Sequence, residues 1–152
     1  MLNNEDINKI KETINEFFLK MTTPLLNIEV NFFSDVVDLD IKLEEPQILI
    51  GQGGQTLFEI QRLLRTILNK KLQTVFYLNL DINDYKKKKI DYLKDLAKDL
   101  ANEVALTKQE KSLPPMPSYE RRIIHAELAQ RTDVATESQG EGPDRHIIIK
   151  PR

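Results

Sequence analysis

The stretch from Pro46 to Leu68, PQILIGQGGQTLFEIQRLLRTIL, organises the first half of the chain. A short apolar piece, Ile48–Ile50, runs directly into a glycine loop, Gly51–Gly54. From Gln55 onward, apolar residues recur at the three- and four-residue spacing of one helix face. Glycine is favoured where the backbone needs unusual dihedral angles or approaches a ligand closely. The stretch therefore predicts a glycine loop that leads into an amphipathic helix.

Helical and alternating patterns flank this stretch on both sides. Apolar residues at helical spacing predict a helix over about 4–22, with Asn4 as its cap and Pro24 as its stop. Two alternating segments separated by Ser34-Asp35 predict a β-hairpin, and Val75–Leu80 is interpreted as a buried strand. The predicted order is helix, strand, strand, short helix, glycine loop, helix, strand.

The second half begins with a long helical pattern over about 84–109. The prolines of Leu113–Pro117 interrupt it, because proline excludes helix and fixes an extended or turning backbone. Ser118 is a candidate cap for a helix over about 118–130. Strands are predicted at 133–138 and 145–149, around a turn that contains Gly140 and Gly142.

Composition excludes several classes of protein. The chain has 152 residues, of which 40% are hydrophobic and 30% charged, and no apolar run is long enough for a membrane span. It contains no cysteine, which excludes disulfide frameworks, thiolate zinc sites and cysteine nucleophiles. The amino terminus lacks the features of a secretory signal, so we expect a cytoplasmic protein. The net charge of −2 divides into −5 over residues 1–84 and +3 over 85–152.

Four interpretations of the glycine loop follow from its residues. A nucleoside-triphosphate loop requires a Lys-Ser/Thr pair, whereas this sequence has Gln55-Thr56. A dinucleotide loop requires a preceding strand and a third glycine or alanine, where Thr56 stands. A tight turn between two helices would also use these glycines. The pattern Ile50-Gly51-x-x-Gly54 between two helices is typical of KH domains, whose loop clamps the backbone of about four nucleotides.

Positive charge follows the loop and favours nucleic acid over a simple turn. Arg62, Arg65, Lys70 and Lys71 occur without an acidic residue between positions 62 and 71. The middle residues of the loop lack the lysine or arginine that KH loops usually carry. The RNA-binding residues predicted in this half are Ile50, Gly51, Gln52, Gly53, Gly54, Arg62 and Arg65.

A second basic motif lies in the helix that begins near Ser118. Arg121 and His125 are four residues apart and therefore project from the same helical face. A guanidinium can hold a phosphate through two hydrogen bonds, while an imidazole can hydrogen-bond or stack on a base. Without further context, a surface helix with a structural histidine explains the same pair.

The segment that contains PPMPSYERRIIH and TESQGEGPDRHIIIKPR resembles the R-three-H domain, which bacterial Jag proteins (SpoIIIJ-associated) contain. The upstream IGQGGQTLFEIQRLL resembles the KH segment of the same family. The resemblance implies an α+β fold, with a type II KH domain over 1–82 and a small α/β R-three-H domain over 83–152 that includes the long helix. Many members carry an additional amino-terminal Jag domain, which is not expected in this chain.

The resemblance also implies a function and further site residues. Jag proteins bind RNA and are linked to growth and cell division, often with a second small KH protein. We therefore expect a post-transcriptional regulator that binds single-stranded RNA, or single-stranded DNA, and that pairs with such a protein or with itself. Arg121 and His125 match the namesake residues, Arg122 is the adjacent base, and Arg145 belongs to the following strand.

Few residues suggest catalysis or a cofactor. The chain has two histidines, no zinc-binding spacing and no Gly-x-Ser-x-Gly elbow. Carboxylates on the second strand, including Asp38 and Asp40, are spaced as divalent-cation ligands are, but also as an exposed strand face is. Asp81 and Asp84 match a magnesium nuclease and a strand-to-helix turn equally well. We predict a binding module without enzymatic activity, with a protein-interaction adaptor as the alternative.

Overall fold

The computed structural model describes residues 2–152 and divides the chain into two compact units, Met1–Lys86 and Lys87–Arg152. Each unit has its own hydrophobic core. The structure is mixed α and β, as predicted.

The first unit contains the predicted order of elements. They are α1 (Asn4–Lys20), β1 (Asn27–Phe33), β2 (Val36–Lys42), α2 (Gln47–Ile50), α3 (Gln55–Leu72) and β3 (Tyr77–Ile82), with a 3-10 turn (Gln52–Gly54) between α2 and α3. The sheet order is β1-β2-β3. β1 and β2 form the predicted antiparallel hairpin, whereas β2 and β3 are parallel. The connection from β2 to β3 contains α2, the loop and α3, as a parallel crossover requires.

The core of the first unit lies between one face of the sheet and helices α1 and α3. Alternate residues of β2 point into it, and the apolar stripes of the two helices cover them. Its largest fully buried side chains include Phe18, Leu39, Leu57 and Leu80. The other face of the sheet is polar over most of its length.

Two predictions about the first unit are wrong in detail. The cap of α1 is Asn3, not Asn4: its side chain accepts a hydrogen bond from Asp6 N at 2.9 Å, and the Asp6 carboxylate accepts one from Asn3 N at 3.0 Å. The last strand begins at Tyr77, because pairing with β2 fixes its register, and it is not buried throughout. Val75, which the apolar pattern assigns to it, is 84% exposed.

The second unit packs two helices against a small antiparallel sheet. Its elements are α4 (Tyr85–Thr107), which begins at the boundary of the units, β4 (Lys111–Ser112), α5 (Ser118–Leu128), β5 (Val134–Gln139) and β6 (His146–Pro151). The strand order is β4-β6-β5. The core includes Ala97, Ala101, Ile124, Ile147 and Ile149. Ser118 is the first residue of α5 and not its cap, because Pro117 occupies the cap position.

Candidate nucleic-acid interface

The glycine loop brings its backbone unusually close to neighbouring side chains. Gly51 has φ +73° and ψ −180°, and a Cβ at this position would lie 2.2 Å from Thr56 Oγ1. A Cβ on Gly54, at φ +80°, would lie 2.8 Å from Cε1 of Tyr85. Both positions therefore require glycine. The element before the loop is a helix, α2, and not the strand that a dinucleotide loop requires.

The middle of the loop is its accessible part. Gly51 N donates to Gln47 O at 3.0 Å, and Gly54 N donates to Gly51 O at 3.3 Å. These two amides are thus used within the loop. Gln52 and Gly53 are exposed, and a Cβ on Gly53 would have nothing within 4 Å. A ligand that approached the loop would meet these two residues first.

Arg62 and Arg65 lie along α3 and not at the loop. They follow Gly54 by eight and eleven residues, which correspond to about 12 and 16 Å of helix. Both side chains are exposed, and the Arg65 guanidinium lies over the Tyr77 ring, 5.6 Å from its centroid. Ile50 is half-buried against the core. The structure thus separates the two predicted arginines, which lie on α3, from the predicted residues of the loop.

Lys86 is a basic residue near β3 that sequence reasoning did not single out. Its ammonium donates to Gln61 Oε1 at 2.6 Å and to Asn79 Oδ1 at 2.9 Å, and it lies 5.0 Å from the centroid of the Phe58 ring. Burial lowers the pKa of Lys86, and the negative charge of Asp81 opposes that shift. Lys86 therefore joins α3 to β3.

Three carboxylates meet at the carboxyl end of β3. Asp40, Asp81 and Asp84 each offer an oxygen atom within 4.8 Å of the others. Asp81 is 4% exposed, and its Oδ1 accepts hydrogen bonds from Ile82 N at 2.9 Å and Lys86 N at 3.0 Å. These bonds give Asp81 a structural role at the start of α4. Among residues 2–152, these are the carboxylates placed to hold one divalent cation.

In the second unit, two arginines converge on one hydroxyl group. Nη1 of Arg121 donates to Ser138 Oγ at 2.8 Å, and Nε of Arg145 donates to the same oxygen at 3.0 Å. Nε of Arg121 donates to Met116 O at 3.2 Å, which holds the guanidinium against the segment that precedes α5. Two positive charges therefore share a neutral acceptor. Such a pair is suited to an anion with several acceptor oxygens.

His125 lies beside this arginine pair with one ring nitrogen engaged. Its Nδ1 is 2.6 Å from Thr136 Oγ1 on β5. Burial lowers the pKa of His125, and the nearby charge of Arg121 lowers it further, so the ring is neutral at pH 7. Nε2 is the nitrogen that Thr136 does not contact. Arg122, the next residue to Arg121, is exposed.

Arg131, in the same unit, is an arginine that is paired with a carboxylate. Its Nη2 lies 2.6 Å from Asp133 Oδ2, and its Nη1 donates to Asn102 Oδ1 at 2.7 Å. The guanidinium lowers the pKa of Asp133 to about 2. The charge of Arg131 is therefore compensated within the protein.

Comparison with known proteins assigns the second unit. Residues 91–151 match the model of the R-three-H domain. A protein of Clostridium symbiosum named RNA-binding protein KhpB is 40% identical over 124 residues, which are 82% of this chain and 56% of that protein. The chain is similar to proteins of the KhpB, or Jag, family. This similarity confirms the resemblance to Jag proteins.

Two further KhpB proteins show the same relationship. The Bacillus subtilis protein is 38% identical over 108 residues, 70% of this chain and 52% of its own length. The Lactiplantibacillus plantarum protein is 34% identical over 126 residues, 83% of this chain and 39% of its own length. The chain thus spans about half the length of these KhpB relatives, or less. Within residues 2–152, no helix has the length and apolar character of a membrane span.

Proposed function

We propose that this chain binds single-stranded RNA through two domains and has no catalytic activity. The first is a type II KH domain over residues 1–82, and the second is an R-three-H domain over 83–152. The order of elements, the parallel pairing of β2 with β3 and the glycine loop between α2 and α3 support the first assignment. The match of residues 91–151 to the R-three-H domain supports the second assignment, and the name of the relatives, RNA-binding protein KhpB, supports RNA as the ligand.

The arrangement of Arg121, Ser138 and Arg145 carries the proposal. A phosphate between the two guanidiniums would accept hydrogen bonds that now go to one neutral oxygen. His125 presents Nε2 beside them, and it would hydrogen-bond or stack on the adjoining base. Arg122 adds an exposed charge for the next phosphate. These contacts hold the backbone, as phosphate contacts generally do, without selecting a sequence.

In the first unit, the loop and α3 would contact different parts of the bound RNA strand. The residues Ile50, Gly51, Gln52, Gly53 and Gly54 would lie against the nucleotide backbone, with Gln52 and Gly53 outermost. Arg62 and Arg65 would hold the strand farther along α3. Phosphates and base faces are common to both nucleic acids, so single-stranded DNA is a second ligand for the same surface.

The test is direct binding by fluorescence anisotropy with a labelled 12-nucleotide oligouridine. Hydrogen bonds to charged groups contribute about 1.5–3 kcal/mol each, so Arg121→Ala/Arg145→Ala should weaken binding by about tenfold or more. Arg131→Ala is the matched control, because it removes an arginine that is already paired with Asp133. Equal affinity of the wild type and the double variant would contradict the proposed site.

Absence of catalysis is tested separately, on a gel. RNA incubated with the protein and Mg²⁺ should remain intact. Cleavage that requires Mg²⁺ and disappears in Asp84→Ala would instead favour a nuclease centred on the three carboxylates.

We also propose that the chain acts on RNA in the cytoplasm as a regulator of growth or division. RNA crosslinked in living cells, followed by mass spectrometry of the crosslinked peptides, tests the ligand and both domains together. Peptides that contain Gln52 and Arg121 are expected among the products. Recovery of protein partners without any RNA crosslinked to either domain would favour the adaptor.

A further inference from the structure

One row of side chains on the outer face of the first sheet is apolar and exposed. Phe33 of β1 pairs with Val36 of β2, and Val36 pairs with Tyr77 of β3, so the three residues lie side by side across the sheet. Phe33 is 83% exposed and Tyr77 is 59% exposed. Since neighbouring strands are about 4.8 Å apart, the two aromatic residues lie about 10 Å apart, on either side of Val36. Two unstacked bases have room on such a row.

The rest of this face differs in chemistry from the aromatic row. The next row is Asn31, Asp38 and Asn79, in which Asn79 Nδ2 donates to Asp38 Oδ1 at 2.9 Å. The row beyond it pairs Asp40 with Asp81. Polar side chains are the usual covering of a solvated sheet face, whereas adjacent exposed apolar side chains that form a patch indicate a binding surface. The aromatic row is therefore the part of this face that we expect to bind a ligand.

Charge indicates which partner the row suits. The Arg65 guanidinium lies over the Tyr77 ring, 5.6 Å from its centroid, so a positive charge borders the aromatic end of the face. On the same face, the Asp38 carboxylate lies one row away, where it accepts a hydrogen bond from Asn79 Nδ2, and the carboxylates of Asp40 and Asp81 lie two rows away. A nucleic-acid strand could place its bases on the rings and a phosphate at Arg65 while its backbone avoids those carboxylates. Exposed aromatic residues on a sheet bind single-stranded RNA in this way in other folds.

We propose that Phe33 and Tyr77 form a stacking platform for two bases of single-stranded RNA, and that Arg65 holds the phosphate beside them. The platform is separate from the glycine loop, which adjoins the first residue of α3, whereas Arg65 lies in its second half. This inference rests on the proposed RNA-binding function and adds a second contact surface to the first unit.

The experiment compares wild-type protein with Phe33→Ala/Tyr77→Ala in the anisotropy assay with 12-nucleotide oligouridine. Loss of stacking on both rings should weaken binding by about thirtyfold or more. Tyr92→Ala is the matched control: Tyr92 is 57% exposed and has Lys89 5.7 Å from its ring centroid, but it lies in the second unit. A second variant, Phe33→Tyr/Tyr77→Phe, keeps both rings and should bind as the wild type does.

Ultraviolet crosslinking of the same oligouridine provides an independent readout. Crosslinked uridine should map to peptides that contain Phe33 or Tyr77, and not to the peptide that contains Tyr92. Thermal unfolding of each variant checks that the exposed substitutions leave the fold intact.

The outcomes separate this inference from the function on which it rests. If the wild type does not bind RNA, the proposed function fails and this inference fails with it. If the wild type binds but the alanine variant binds equally well and no crosslink maps to the row, the platform alone is wrong. Sedimentation velocity completes the test. A wild-type dimer that Phe33→Ala/Tyr77→Ala dissociates, with RNA affinity unchanged, would identify the row as a protein interface and overturn the proposal.

Discussion

Substitution of Gly51 by alanine should lower the free energy that is needed to open the first unit far more than the same substitution at Gly53. Gly51 has φ +73° and ψ −180°, a region that is essentially restricted to glycine and costs other residues about 1–3 kcal/mol. The new Cβ would also lie 2.2 Å from Thr56 Oγ1, so the backbone or Thr56 must move. Gly53 has φ +63° and open space around it, so its alanine variant carries only the left-handed backbone cost of about 1–2 kcal/mol.

Hydrogen exchange measured by mass spectrometry is the suitable assay, because it reports the opening free energy of the first unit separately from the second. Because the two backbone costs overlap, the difference between the variants comes from the contact with Thr56: Gly51→Ala should lower the opening free energy of peptides from β2 and α3 by about 1–3 kcal/mol more than Gly53→Ala does. Thr56→Ala in the Gly51→Ala background should recover part of the loss, because it removes the atom nearest the new Cβ. Equal losses in the two glycine variants would show that the close approach at Gly51 does not constrain the loop.

Two further predictions concern RNA affinity. Gln52→Lys places a positive charge in the exposed middle of the loop. Binding of oligouridine should therefore tighten, and the slope of log affinity against log salt should steepen by about 0.7. Anisotropy titrations from about 50 to 200 mM salt measure this slope, and an unchanged slope would argue against phosphate contact at the loop. Burial and the charge of Arg121 hold the pKa of His125 below its usual 6.5. As the pH falls through that lowered pKa, protonation of His125 should add a positive charge beside Arg121 and tighten RNA binding. The variant His125→Gln should abolish this dependence of affinity on pH. Because the unfolded chain takes up this proton at a higher pH than the folded chain, His125 should also lower stability as the pH falls below 6.5, which urea unfolding on both sides of that pH would reveal.

Apolar periodicity was sufficient to predict most of the elements, but not their registers or the contacts between them. Val75 and Phe76 have high strand propensity, yet pairing with β2 places the start of β3 at Tyr77. Strand β4 has only two residues, Lys111 and Ser112, too few for any alternation to be visible. Its existence depends on pairing with β6, which is distant in sequence.

In the candidate sites too, spacing along one helix could be predicted from the sequence, whereas contacts between elements could not. The spacing of Arg121 and His125 is visible in the sequence because both lie on one helix. That Ser138 and Arg145 meet Arg121 depends on the pairing of β5 with β6 and on the packing of α5 against β5. Lys86 is one of four consecutive lysines, and only its contacts with side chains of α3 and β3 distinguish it from the others.

The partners of the individual cations explain how a chain with a net charge of −2 suits a polyanion. Arg131 has a positive charge equal to that of Arg121, but a carboxylate already compensates it. Arg121 and Arg145 share a hydroxyl group, which leaves their charges available to a ligand. Cations in this second state, and not the overall count, therefore set the number of phosphates that the chain can hold. Affinity beyond those contacts must come from aromatic and backbone surfaces, and from two modest sites held on one chain.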